Sequence, residues 1–291
     1  MMMIEIETRD QLRAFRARAK EEHRRVALVP TMGALHEGHL SLIERAATLA
    51  DWVVVSIYVN PTQFGPSEDF DRYPRRNADD LELLSAHGYA THVFVPDDAV
   101  IYPNGVIHQR AWVDLPEMAS VLCGAHRPGH FSGVATVVLK LLNLIQPDVA
   151  VFGLKDAQQF LILRQMVSDL CLSVDLDGAP ISRESSGLAR SSRNELLSPS
   201  ARRHAAGIYE ALAQTRSLME EGEGRIAVLE AQLWEGLSMV PGVRVEYAEI
   251  RITGDLSHPT IVYDNTEYLV AVACHLEGVR LIDNFIWSRK S

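Results

Sequence analysis

The chain has 291 residues, of which 47% are hydrophobic and 23% charged, with a net charge of −10. That is length enough for two domains with sizeable cores, and no apolar run of about 18 residues is present to cross a bilayer. The acidic balance argues against broad attraction to nucleic acid or to anionic membrane surfaces.

The start, MMMIEIETRD, is charged from Glu5 onward without the apolar core of a secretory signal, so the cytoplasm is the expected compartment. RRVALVP (24–30) is strand-like, HLSLIERAATLA (39–50) helix-like and WVVVSIYVN (52–60) strand-like again, which makes a βαβ unit. A helix over 77–88 ending at Gly88, a buried strand over 91–96, a helix over 133–147, a short strand over 148–153 and an amphipathic helix over 156–170 continue the alternation. Repeated β-then-α order predicts an α/β, Rossmann-like domain with a mostly parallel sheet over residues 1–180. The stretch APISRESSGLARSSRNELLSPS (179–200) is polar and Ser-rich, as in a linker or mobile loop. Ser198 and Pro199 then read as the N-cap and first residue of a helix. A further helix (224–238) and three alternating stretches (243–252, 267–276 and 279–287) predict a smaller α+β domain over 181–291, its strands wet on one face. Cys123, Cys171 and Cys274 lie too far apart in sequence for a metal pair and are odd in number for a disulfide set.

VPTMGALHEGHLSLIERA (29–46) places two histidines at a strand-to-helix joint. Open parallel sheets bind ligands beyond the carboxyl ends of their strands, where a helix offers free N–H groups. With the helix starting near Gly38, His36 and His39 fall on one side and flank an anion site, while Gly33 and Gly38 allow a tight turn and close approach. Capping the helix is the rival use. Zinc is disfavoured, because the metalloprotease pattern spaces its histidines four apart and here they are three apart. VFGLKDAQQ (151–159) ends a second strand in Lys155 and Asp156, followed by Gln158 and Gln159; lysine suits phosphate, aspartate a ribose hydroxyl, glutamine a neutral polar substrate. RSSRN (190–194) adds hydroxyls and guanidinium groups suited to pyrophosphate.

Together with VNPTQF (59–64), DFDRYPR (69–75) and RPGHFSGVATVVLKL (127–141), these stretches resemble the pantothenate synthetase (pantoate–β-alanine ligase) family, within the superfamily of nucleotidyltransferases that share the His-x-Gly-His signature. The resemblance implies a ligase forming a C–N bond. ATP and pantoate give pantoyl adenylate and pyrophosphate, and β-alanine then displaces AMP to give pantothenate, on the route to coenzyme A. It implies phosphate stabilisation by His36 and His39 and phosphate binding by Lys155, Ser191, Ser192 and Arg193, with the ribose on Asp156. Pro30, Thr31, Met32, Gly33, Gly38, Gly153 and Ser182 complete the implied ATP site. Pantoate would be held by Gln63 and Gln159, supported by Met32 and Asn60, with Arg127 and Tyr73 lining the site and His130 behind it. Mg²⁺ would meet Asp79, to which Asp80 is adjacent. A cytoplasmic homodimer is implied too, without nucleic-acid or membrane partners. The sequence departs from the family pattern at Cys123, Leu154, Ala157 and Arg190. A superfamily nucleotidyltransferase with another substrate, or an ATP-binding module without catalysis, is the alternative; the glutamine motifs NPTQF and KDAQQ count against the first and the retained histidines, Lys155 and Ser-Ser-Arg against the second.

Overall fold

The computed structural model describes residues 3–65 and 70–289. The chain forms two compact units, Met1–Ala119 with Arg127–Leu154 and Ile162–Pro180, and Ser120–His126 with Lys155–Leu161 and Ile181–Ser291. Two short stretches from before residue 180 thus go with the later unit.

The first unit is built on six parallel strands: β1 (Ile4–Ile6), β2 (Val26–Thr31), β3 (Trp52–Ile57), β4 (His92–Phe94), β5 (Val149–Gly153) and β6 (Asp175–Ala179), in the order β1-β4-β3-β2-β5-β6. All six residues of β3 and five of the six of β2 are buried, which is what a central strand covered on both faces requires of a continuous apolar run. The three-residue β1 and the polar β6, where only Ala179 is buried, carry no such pattern because they are edge strands. Between the strands run α1 (Arg9–Glu21), α2 (Glu37–Ala47) and α3 (Asn77–His87). Leu40, Ile43 and Ala46 of α2, spaced by three, pack with Ala27, Val29, Val53 and Val55 of the sheet in one core. Helix α3 ends on Gly88 at φ +80°, a left-handed position that favours glycine.

Three four-residue helices follow, α4 (Asp98–Ile101), α5 (Pro116–Ala119) and α6 (Cys123–His126), the last in the second unit. Helix α7 (His130–Ile145) is buried along much of its length, from Phe131 through Ile145. α8 (Ala157–Asp169) closes the alternation. The strand order reverses between β2 and β5, so the residues after them start from adjacent strand ends, where doubly wound sheets bind ligands.

In the second unit, α9 (Pro199–His204), α10 (Ala206–Glu220) and α11 (Ile226–Ser238) precede an antiparallel sheet of β7 (Arg244–Ile252), β8 (Glu267–Leu276) and β9 (Val279–Ser288). Ser198 caps α9 by accepting from Ala201 N, with Pro199 at the first position. Leu212, Leu229, Leu233 and Leu237 of the helices pack with Tyr268, Val270, Val272 and Cys274 of β8. The expected wet face is absent from β8, since Leu269, Ala271 and Ala273, which point the other way, are buried as well. On that second face Tyr247 OH meets Cys123 Sγ at 3.0 Å, and Glu246 pairs with Arg280 and His275, each at 2.7 Å. Burial opposes ionisation of Glu246, yet the hydrogen bonds from Arg280 and His275 hold its pKa down to about 2.

The Ser-rich stretch is not a linker. It turns back on itself through an Arg183–Ala189 bridge and a backbone bond from Arg190 N to Ser182 O, and Arg183 grips the buried Asp283 with both terminal nitrogens, at 2.7 and 2.9 Å. Asn194, also buried, donates to Glu184 and to Ala189 O. Its polar composition supplies these pairings, a use that composition alone does not distinguish from solvation.

Gly133 lies in α7 where an added Cβ would stand 2.3 Å from Thr62 O. Ala is otherwise the better helix former by about 1 kcal/mol, so the sign is diagnostic. Gly133→Ala is expected to destabilise the fold by about 1–3 kcal/mol through overpacking, read from urea unfolding midpoints; an unchanged or raised midpoint would show that the helix does not press on residues 61–63.

Candidate active site

The joint after β2 must find acceptors for its backbone amides, because buried N–H groups left unpaired are costly. Thr31 Oγ1 donates to Ser56 O of β3 at 2.7 Å and accepts from Gly33 N at 3.2 Å. The next two amides, Ala34 N and Leu35 N, donate to the two carboxylate oxygens of Asp80 at 2.9 and 2.8 Å. Asp80 is only 3% exposed. Gly33, at φ +81°, passes so close to this carboxylate that a Cβ would lie 2.9 Å from Oδ2. Of the two acidic residues in the first turn of α3, Asp80 is therefore engaged in holding the loop, while Asp79 is exposed.

Helix α2 opens with an unusual cap. His36 is the N-cap, its Nδ1 accepting from Gly38 N at 3.0 Å, and His39, three residues on, returns its Nδ1 to His36 N at 3.3 Å. The rings lie 4.2 Å apart. This is the reciprocal geometry of a capping box with imidazoles in both places. An Nδ1 that accepts a backbone N–H carries no proton, so each neutral ring bears its hydrogen on Nε2 and is a donor there. Capping and anion binding, set against each other in the sequence, are compatible: one nitrogen of each ring serves the helix and fixes the tautomer of the other.

Asn60, Gln63 and Met32 come together in the same unit. Asn60 caps the short 3-10 turn Pro61–Gln63, accepts from Tyr102 OH at 2.7 Å, and donates from Nδ2 to Gln63 Oε1 at 3.1 Å. Gln63 Nε2 is 2.9 Å from Met32 Sδ. At 1% exposure Asn60 acts from behind, orienting Gln63. His130 Nδ1 lies 2.8 Å from Gln63 O, which can only accept, so the proton is on Nδ1 and Nε2 accepts from Arg127 Nη1 at 3.0 Å. Arg127 is thus tied through His130 to the turn that carries Gln63. Tyr73 packs edge-on against Phe64, the residue after Gln63, with ring centroids 5.7 Å apart. Asp69 of the DFDRYPR stretch lies outside the described residues.

The second unit holds the other set. Lys155 and Asp156 lie on a 3-10 turn (Leu154–Asp156) that runs into α8, and Lys155 O accepts from Asn284 Nδ2 at 2.9 Å. Gln158 is buried, its amide accepting from Cys123 N at 3.0 Å and donating to Val121 O at 2.8 Å, while Gln159 is half-buried. The two glutamines differ in use: the first clamps the start of α8 to the 120–126 stretch. Ser191 caps the 3-10 turn Ser192–Leu196 through Arg193 N, and the Arg190–Ser182 backbone bond fixes the base of this loop. Arg190 Nε donates to Arg183 O at 3.2 Å, so its side chain is engaged in the hairpin. Ala157, the first residue of α8, is buried at 3% exposure.

Sequence reasoning did not single out Tyr102, Asn284, the clamp made by Gln158 or the loop-holding role of Asp80. The first two had no local signal, since their partners lie 42 and 129 residues away. Among the described residues no group of three His, Cys, Asp or Glu side chains could hold a metal ion by itself.

A profile of the pantoate–β-alanine ligase family matches residues 5–286. The pantothenate synthetase of Halorhodospira halophila is 46% identical over 276 residues, 95% of this chain and 94% of that protein; that of Shewanella denitrificans is 44% identical over 283 residues, 97% and 96% respectively. The crystal structure of the Thermus thermophilus pantothenate synthetase superposes with a TM-score of 0.87 at 40% identity, covering 97% of this chain and 99% of that one. A Francisella tularensis pantoate–β-alanine ligase, complexed with beta-gamma ATP and β-alanine, gives a TM-score of 0.75 at 32% identity, covering 98% and 97%. With the family profile spanning nearly its whole length and relatives of this identity covered almost end to end, the chain belongs to the pantoate–β-alanine ligase family.

Proposed function

We propose that the protein condenses pantoate with β-alanine at the expense of ATP, through pantoyl adenylate. A pantoate carboxylate oxygen forms a bond to the α-phosphorus of ATP as the bond from that phosphorus to the bridging oxygen breaks and pyrophosphate leaves. The β-alanine amine then attacks the acyl carbon and AMP departs. A carboxylate resists amine attack until its oxygen belongs to a good leaving group, so the work is alignment and charge stabilisation rather than nucleophilic catalysis by the protein.

The observation that carries this reading is the imidazole cap of α2, which holds two neutral rings with N–H at Nε2 beside the start of a helix. His36 and His39 would donate to the phosphate oxygens as charge moves onto them. Pro30, Thr31, Met32, Gly33, Gly38 and Gly153 would border the nucleotide, Lys155, Ser191, Ser192 and Arg193 would bind its phosphates, Asp156 its ribose, and Ser182 would complete that set. Gln63 and Gln159 would hold the hydroxyl and carboxylate of pantoate, with Met32, Asn60, Arg127 and Tyr73 supporting. Magnesium would neutralise part of the phosphate charge. The donors fit an ion held mainly by phosphate and water: Asp80 is engaged with Ala34 N and Leu35 N, which leaves the exposed Asp79 as the single carboxylate offered from that turn. The reading includes a homodimer and a cytoplasmic location. For the location, support comes from Cys123, Cys171 and Cys274 all being free thiols and from the described residues containing no helix long and apolar enough to cross a membrane.

Exchange of labelled pyrophosphate into ATP, with Mg²⁺ and pantoate present and β-alanine withheld, tests the first step; exchange equal with and without pantoate would sink the reading. Removing one phosphate donor by His36→Ala or His39→Ala should lower that exchange by a factor of about 10²–10³, and variants within threefold of the parent would deny the rings this role. The two acidic neighbours should separate cleanly. Asp80→Ala is expected to cost about 1–3 kcal/mol of stability for each amide it orphans, whereas Asp79→Asn should leave unfolding within about 0.5 kcal/mol and raise the Mg²⁺ concentration needed for half-maximal exchange. The reverse pattern in denaturant unfolding and Mg²⁺ titration would show the two assignments to be exchanged.

A further inference from the structure

The first unit contains an open cavity of about 840 Å³, lined by none of the residues assigned above. Among the described residues its walls carry Arg9, His108, Arg110 and Lys140 and no aspartate or glutamate. In a chain of net charge −10 this is a local reversal of sign. Elsewhere in the same unit arginines face carboxylates, Arg45 with Asp177 at 2.9 Å and Arg25 with Asp175 at 3.3 Å.

Two of the cavity's cations are fixed in place by uncharged acceptors. Arg9 donates from Nε and Nη2 to Val100 O at 3.0 and 2.7 Å. Lys140 Nζ donates to Ile101 O at 3.0 Å and to Gln109 Oε1 at 2.8 Å, and it lies 3.9 Å from the centre of the Tyr102 ring. Such acceptors orient a charged group without cancelling its charge, so both arrive positioned but uncompensated. Burial and the nearby positive charge of Arg9 press the pKa of Lys140 downward, as expected of a cation held by neutral partners. Arg110, an exposed lining residue, brings a third positive charge, and Asn104 and Asn143 line the cavity as well. A hollow with these donors selects a compact anion over a polymer, since an extended nucleic acid or a membrane surface needs a broad basic face and the chain is acidic overall.

We propose that this cavity binds a small molecule bearing a compact multiply charged anionic group, a phosphate ester or a polycarboxylate, at a site separate from the adenylate-forming residues. The site predicts binding to full-length protein of inorganic phosphate or of citrate, the two probes distinguishing the phosphate and carboxylate sources of the same charge. Calorimetric titration of each probe, with a non-hydrolysable ATP analogue present at saturation, should show one of them binding, and Arg110→Gln and Lys140→Met should each weaken that binding about tenfold or more. Should Lys140→Met fail to fold, Arg110→Gln, at an exposed position, decides the matter alone. Absence of binding by both probes, or equal binding by the parent and Arg110→Gln, would overturn the proposal. If the analogue itself does not bind, the ligase reading fails on its own account, and the titration without analogue, compared with Arg110→Gln, still reads the cavity.

Discussion

The amides at the joint between β2 and α2 cannot all be satisfied by regular secondary structure, and the way they are satisfied organises the first unit. Gly33 N turns to Thr31, Ala34 N and Leu35 N to Asp80, Gly38 N to His36, and His36 N to His39. Each acceptor has a second consequence. Thr31 ties the loop to β3, Asp80 ties it to α3, and the histidines commit their Nδ1 atoms. A Ser or Asp cap would satisfy the same N–H groups. Imidazole does so while keeping an N–H donor on the far side of a rigid ring, and without adding the negative charge that would repel a phosphate. The His-x-x-His spacing is then the spacing of a capping box, which is why the three-residue interval suits this chemistry and the four-residue interval of a zinc helix does not.

The same economy recurs where Gln63 is presented. Asn60 is buried and directs the Gln63 amide, Tyr102 directs Asn60, and α7 approaches so closely at Gly133 that Gly133 O accepts from Asn60 Nδ2 at 3.3 Å. His130, at the start of α7, holds the backbone of Gln63 with one nitrogen and Arg127 with the other. A flexible guanidinium and a flexible amide are thereby referred to one rigid helix, and groups held in place beforehand need no ordering at the moment of reaction. In the second unit the Lys155 turn is held by Asn284 and the start of α8 by Gln158, while the Ser191–Arg193 turn stands on a hairpin fixed through Arg183 and the buried Asp283.

Much of the fold was legible because central parallel strands are apolar throughout and their helices have one apolar stripe: β2, β3, β5, α2, α3 and α8 follow the pattern within a few residues. Edge strands β1 and β6 escaped for the converse reason, since a strand with one neighbour and a solvated face need not be apolar. The pattern of EYLVAVACHL marks β8 as a strand but not its burial, because small and large apolar side chains alternate there and both sets are buried. The stretch around 183–198 misled by composition: Arg, Glu, Ser and Asn there pair with one another and with Asp283. The histidine pair lies at the joint after β2, as its place in the sequence implies, whereas nothing local tells Asp79 from Asp80, of which only the second is buried.

The donor role proposed for the capped histidines depends on their protonation pattern, and nitrogen-15 NMR of the two imidazole rings measures it directly. Long-range proton–nitrogen correlation spectra of protein labelled at histidine, recorded near neutral pH, should show His36 and His39 as neutral rings with hydrogen on Nε2 and an unprotonated, hydrogen-bonded Nδ1. A ring with its hydrogen on Nδ1, or carrying both hydrogens, cannot accept from Gly38 N or His36 N and would contradict the reciprocal cap and the donor role built on it.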